Sequence, residues 1–238
     1  RCIEYHKAAV EQARSAGNTT CEIMSLCMAA FVKARAGDLD GAGELVRQAS
    51  QIEQTAMQPT LMGYIHYARG GVESFKDPNR AIDEYQTSVE CANMAGNHLG
   101  AQRVKHLIAE LQAAQAEPAE ALAIHVRRLI DLPKHGATFY NWSTIRSLLL
   151  PLSQLGADGD LAVLAGALGT SPLRLDRSAR NAVNTARDRM GESAFELAAA
   201  RGSRFDLAEA RTYIIGVWGI LEPQSSETGS GTDRAAKR

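Results

Sequence analysis

The side chains able to do chemistry in this chain are few and scattered. Six histidines occur: His6, His66, His98, His106, His125 and His135. His66 and His106 occupy equivalent places in a pattern that recurs about every forty residues, and Arg35, Glu73, Arg103 and Glu110 fall around them by the same alignment. Imidazole, guanidinium and carboxylate groups gathered in this way form a polar patch for a peptide or a small ligand, and they also suit an ordinary solvated helix face. No third ligand accompanies the two histidines, so no metal site is expected. His6 and His125 recur on second helices facing their partners, as half-buried, hydrogen-bonded rings.

Other chemistries lack their motifs. No Gly-x-x-x-x-Gly-Lys-Ser/Thr loop is present to cradle a triphosphate, and no Gly-x-Ser-x-Gly, His-Glu-x-x-His or kinase signature supplies a catalytic constellation. The expectation is a non-catalytic chain that needs no cofactor. Asp38-x-Asp40-Gly41 echoes a calcium loop but lacks the further ligands, and helix capping explains it better. Cys2, Cys21, Cys27 and Cys91 form no Cys-x-x-Cys pair. They read as reduced, buried thiols of a cytoplasmic protein.

The 238 residues carry 26 Lys and Arg against 27 Asp and Glu, a formal net charge of -1 that excludes bulk electrostatic binding of nucleic acid. Arg174, Arg177, Arg180, Arg187 and Arg189 cluster late in the chain, diluted by Asp176 and Asp188, and a solvated face fits them better than a nucleic-acid patch. Hydrophobic residues make up 45% and aromatics only 5%, with abundant Ala and Leu, a composition that leans helical. No apolar run reaches the roughly 18 residues of a membrane span.

Four short turns end in Ala42, Ala81, Ala121 and Ala162, at spacings of 39, 40 and 41. They are Gly37-Asp38-Leu39-Asp40-Gly41-Ala42, Lys76-Asp77-Pro78-Asn79-Arg80-Ala81, Ala116-Glu117-Pro118-Ala119-Glu120-Ala121 and Ala157-Asp158-Gly159-Asp160-Leu161-Ala162. One period earlier stands Cys2, so the chain opens inside a repeat and reads as part of a longer polypeptide. Before each turn runs an apolar stripe at helical spacing: Ile23 to Ala34, Leu61 to Phe75, Val104 to Leu111, Trp142 to Leu152. After each turn runs a second, led by Ala42, Ala81 and Ala121. Pro151 should kink or end its helix. Neither helix of a pair hides its stripe alone, so the expected fold is all-α, a solenoid of antiparallel two-helix hairpins.

Gly37-Asp38-x-Asp40-x-Ala42 resembles the turn of tetratricopeptide repeats, with His6, Val46, Tyr85 and His125 four residues on and Ala9, Ala49, Ser88 and Arg128 seven on; Arg128 does not fit the small residue usual there. The segment from Ala186 to Phe195, then Ala200-Arg201-Gly202 and Asp206 to Ala210, is similar to the end of the helical-repeat region in large bacterial signal-transduction ATPases, as is Leu161 to Ala167. Those proteins join an NTPase module to tetratricopeptide-like repeats, and carry a LuxR-type DNA-binding domain or a nucleotide cyclase. The resemblance implies repeats over residues 1–170 in a right-handed superhelix and a helical cap over 171–220; the polar, low-complexity composition of 221–238 predicts a disordered tail. It turns His66 and His106 towards a concave groove with Arg35, Glu73, Arg103 and Glu110. It implies a non-catalytic module that senses a protein segment or small inducer and relays this to an upstream NTPase domain of the same polypeptide, without binding membrane or nucleic acid itself. The alternative it leaves is the C-terminal part of a LuxR-type DNA-binding regulator or a cyclase whose working domains lie elsewhere.

Overall fold

A computed structural model describes residues 2–53, 58–132 and 138–219; the tail expected over 221–238 lies outside them. Every regular element among these residues is an α-helix. The first helices are α1 (Cys2–Ser15), α2 (Thr19–Arg35), α3 (Leu39–Glu53), α4 (Pro59–Glu73) and α5 (Pro78–Met94). There follow α6 (His98–Gln115), α7 (Pro118–Asp131), α8 (Thr138–Ser147), α9 (Leu149–Gln154) and α10 (Asp158–Gly169). The chain continues through α11 (Arg177–Met190), α12 (Glu192–Gly202) and α13 (Leu207–Trp218).

Local chemistry sets the boundaries. Asp77 accepts from the Asn79 and Arg80 amides while Pro78, which has no amide hydrogen to leave unpaired, opens α5; Pro118 opens α7 in the same way. The Asp38 carboxylate accepts from the Gly41 amide at 2.9 Å, so the aspartates of that turn serve as a cap. Ala16-Gly17-Asn18 and Ala95-Gly96-Asn97 make matching turns, each with a left-handed glycine (φ 63° and 70°) followed by an Asn cap. Pro151 acts one turn upstream: α8 ends at Ser147, whose carbonyl the proline ring would strike, and the chain re-forms as α9.

From α1 to α7 each helix packs on the next, and α2 also packs on α4. Ile23, Leu26, Cys27, Ala30 and Ala34 of α2 are buried with Ala42, Ala49, Leu61, Ile65 and Ala68. A larger apolar cluster joins α7 to α13, including Leu129, Ile145, Leu149, Leu152, Leu164 and Phe195, and α13 lies against α7 and α8. One stripe residue and one cysteine depart from expectation. Phe75 is exposed because α4 ends at Glu73, and Cys21 is exposed because it sits in the first turn of α2; Cys27 and Cys91 are buried.

Candidate functional site

The helices that precede the turns, α2, α4, α6 and α8, carry the polar candidates. Phe31 of α2 stacks on Tyr67 of α4 with ring centroids 4.9 Å apart. Gly71 makes this possible, since a Cβ there would stand 2.6 Å from the Phe31 ring. Arg35 is exposed one turn along α2, its guanidinium 5.9 Å from the Phe31 centroid. Arg103 of α6 donates to the Tyr67 hydroxyl at 2.6 Å and lies 4.7 Å from that ring's centre, a cation–π contact as well as a hydrogen bond. Between α6 and α8, His106 Nε2 meets the Ser143 hydroxyl at 2.9 Å, and the Ser147 hydroxyl donates to Glu110. The bridges joining α4 to α6 and α6 to α8 span 36 or 37 residues.

His66 and Glu73 face elsewhere. His66 Nδ1 meets Glu84 of α5 at 2.7 Å, inside its own hairpin. Glu73 lines a cleft of about 420 Å³ with Arg69, Lys76, Arg80 and Glu84. The six candidates therefore divide into two groups. Arg35, Arg103, His106 and Glu110 join the bridged series of helices, while His66 and Glu73 turn towards α5 and its neighbours. His66 and His106 are not used equivalently. Ser88 of α5 donates to the Gly63 carbonyl, and Arg128 of α7 donates to the Gln102 carbonyl, which makes Gly63 the counterpart of Gln102 and so Tyr67, not His66, the counterpart of His106. Tyr67, Ser143 and Ser147 complete the bridges and were absent from the sequence candidates; the i, i+4 spacing of the two serines was their available signal.

Burial governs the electrostatics. His106 is pushed well below the ordinary histidine range by desolvation, with Arg128, His125 and Arg146 adding to the effect and Glu110 opposing it. Its Nδ1 is buried without a partner among the described residues. His125, also buried, is pushed down to about 4 by desolvation alone. Arg128 fills the place that Ser88 occupies one repeat earlier; its charge is held by the Gln102 carbonyl at 2.8 Å and side-chain oxygen at 2.7 Å. Ser143 next to a neutral imidazole has the makings of a nucleophile and a base, but both side chains are buried and no carboxylate holds His106 Nδ1.

Of the late arginines, Arg174, Arg177 and Arg180 are exposed, while Arg187 and Arg189 are engaged within the fold. Arg189 binds Asp158 and the Ser153 carbonyl, and Arg187 reaches Glu192 and Glu196 while lying 4.6 Å over the Phe195 ring. Among the described residues no three His, Cys, Asp or Glu side chains converge as metal ligands, and no helix is long and apolar enough to cross a membrane. Fold and site together define an all-α protein whose successive helices are tied by aromatic and polar bridges. No protein-family model, curated protein or solved structure matches this chain.

Proposed function

We propose that this chain is a non-catalytic interaction and ligand-sensing module: a tetratricopeptide-like array of two-helix hairpins, winding as a right-handed superhelix, within a multidomain bacterial signalling or transcriptional regulator. The supporting observation is the run of bridges Phe31–Tyr67–Arg103 and His106–Ser143, which orders α2, α4, α6 and α8 side by side. Such an array offers a long face on which a protein segment or small inducer lies across several helices. Binding then biases an adjoining NTPase domain through its differing affinity for two arrangements of the stack.

Two assays test this. The purified chain is expected to retain a subset of peptides on an array of random acidic sequences, and Arg35→Glu with Arg103→Glu is expected to lose them while keeping its helical circular dichroism. The same preparation is expected to hydrolyse no ATP and form no cyclic nucleotide. Turnover above a mock preparation that disappears in His106→Ala would overturn the proposal in favour of an enzyme.

A further inference from the structure

Between α4, α5 and α6 lies a slot of about 80 Å³, lined by Gly63, Tyr64, Tyr67, Ala92, Gly100 and Arg103 among others. It exists because α4 and α6 do not close on each other as α2 and α4 do. Gly71 lets Phe31 settle against α4, whereas Tyr67 and Arg103 stand between α4 and α6 as a spacer. The floor is made of residues with little or no side chain. Its one inner hydroxyl, on Ser88, is spent on the Gly63 carbonyl.

The only ionisable groups in the lining are the guanidinium of Arg103 and the phenols of Tyr64 and Tyr67. Arg103 is half-buried, and among the described residues it forms no ion pair. One of its nitrogens, Nη2, is engaged by the Tyr67 hydroxyl. The fork of N–H donors extends beyond that bond, and no nitrogen of Arg103 is among the buried orphans, so the rest stay within reach of a ligand. Arg35 adds to the positive field at Tyr67.

We propose that this slot binds a small monocarboxylate with a compact apolar body: the alkyl group or ring lies on Gly63, Ala92 and Gly100 against the tyrosine faces, and the carboxylate takes the free edge of Arg103. The assignment deepens the ligand-sensing function proposed above and rests on it. An apolar cleft with a single fixed cation favours an anion with a greasy tail over a free inorganic anion, because only the tail releases the water held on the slot's walls. A neutral analogue keeps the tail contact and forfeits the charge-assisted bond. A ligand here also adds to the single Tyr67–Arg103 bridge between α4 and α6, so occupancy tightens their packing.

The test uses 4-methylpentanoate, with 4-methylpentanamide and acetate as controls, titrated into the full chain while the Gly63 and Gly100 amide resonances are followed by NMR. The acid is expected to shift both saturably, and each control to bind at least about tenfold more weakly. Arg103→Gln is expected to weaken the acid by a similar factor, and Ala92→Leu, which fills the slot and leaves the charge, to abolish the shifts. Absence of a saturable shift with the acid, equal binding of acid and amide, or binding retained in folded Ala92→Leu would each overturn the inference. Should either variant fail to fold, the three-ligand comparison on the unaltered chain decides. A chain that ignores all three ligands yet retains acidic peptides through Arg35 and Arg103 loses this slot and keeps its broader role.

Discussion

His125 shows what one residue contributes. It stands four residues after the turn alanine, where the preceding hairpins carry Val46 and Tyr85, and its ring is buried with an unpartnered Nδ1. Its pKa falls from 6.5 to about 4 on folding because burial penalises the imidazolium. Above pH 6.5 the ring is neutral in both states and its titration costs nothing. As the pH falls from 6.5 to 4 the unfolded chain takes up a proton that the folded chain refuses, so stability is lost through that window and levels off below it, by about 3 kcal/mol at the limit. His125→Leu is expected to lessen the drop in urea-unfolding free energy between pH 7.5 and 4.5 by about 2.5 kcal/mol, and to leave stability at pH 7.5 equal or higher because an orphaned polar atom is removed. An unchanged acid limb in the variant would show that the ring is not buried as a neutral group. The cysteines separate by the same physics. Burial raises the Cys27 thiol to about 12, whereas Cys21 is exposed at the start of α2. Alkylation of the native protein at pH 8, mapped by peptide mass, should modify Cys21 and spare Cys27 until the chain is unfolded.

At the scale of elements, α10 and α12 approach each other closely through two glycines. A Cβ on Gly202 would stand 1.7 Å from the Val163 carbonyl oxygen, and one on Gly166 would stand 1.9 Å from that of Ala199. Backbone atoms cannot swing aside, so the two helices must separate. Gly202→Ala is expected to cost about 3 kcal/mol despite the gain in helix propensity, whereas Gly43→Ala in α3, with nothing within 4 Å, should be neutral or stabilising by up to about 1 kcal/mol. Equal thermal midpoints for the two variants would refute the crossing. These glycines also mark where sequence reading stopped. Turns built from Asp77-Pro78 or Glu117-Pro118 were legible because capping is decided within a few residues. So was the break before Pro151, which depends on one carbonyl. The α10–α12 crossing was not, because each glycine's need is set by a helix more than thirty residues away. The polar face was legible in part. Arg103, His106 and Glu110 do meet neighbouring helices, but His66 and Glu73 turn to another side of α4, a rotation fixed by Gly63 and Ser88 rather than by the spacing of charges.

Across the whole molecule, apolar burial is uneven along the stack. One cluster joins α1 to α4, and a larger one runs from α7 to α13. Between them a small group, Tyr67, Tyr85, Val89, Ala101 and Val104, ties α4 and α5 to α6. From there α6 reaches its next neighbours through polar bonds: Arg128 to Gln102, His106 to Ser143, Ser147 to Glu110. A polar bridge contributes about 1 kcal/mol, against roughly 1.5–3 kcal/mol for each fully buried large apolar side chain, so packing is weakest at the junction of α6 with α7 and α8. That stretch also holds both buried histidines, so acid loads the same seam. In the array proposed above, a weak interface lets the two sides open separately. Native-state hydrogen exchange on matched samples is therefore expected to show α6 and α7 amides losing protection between pH 7 and pH 5 before those of α2 or α10. The acid sensitivity should shrink in His125→Leu, which relieves the charge at the seam without altering either apolar cluster. Uniform loss of protection from α2 to α10 would mean that the chain opens as one cooperative body and that the polar bridges of α6 do not divide it.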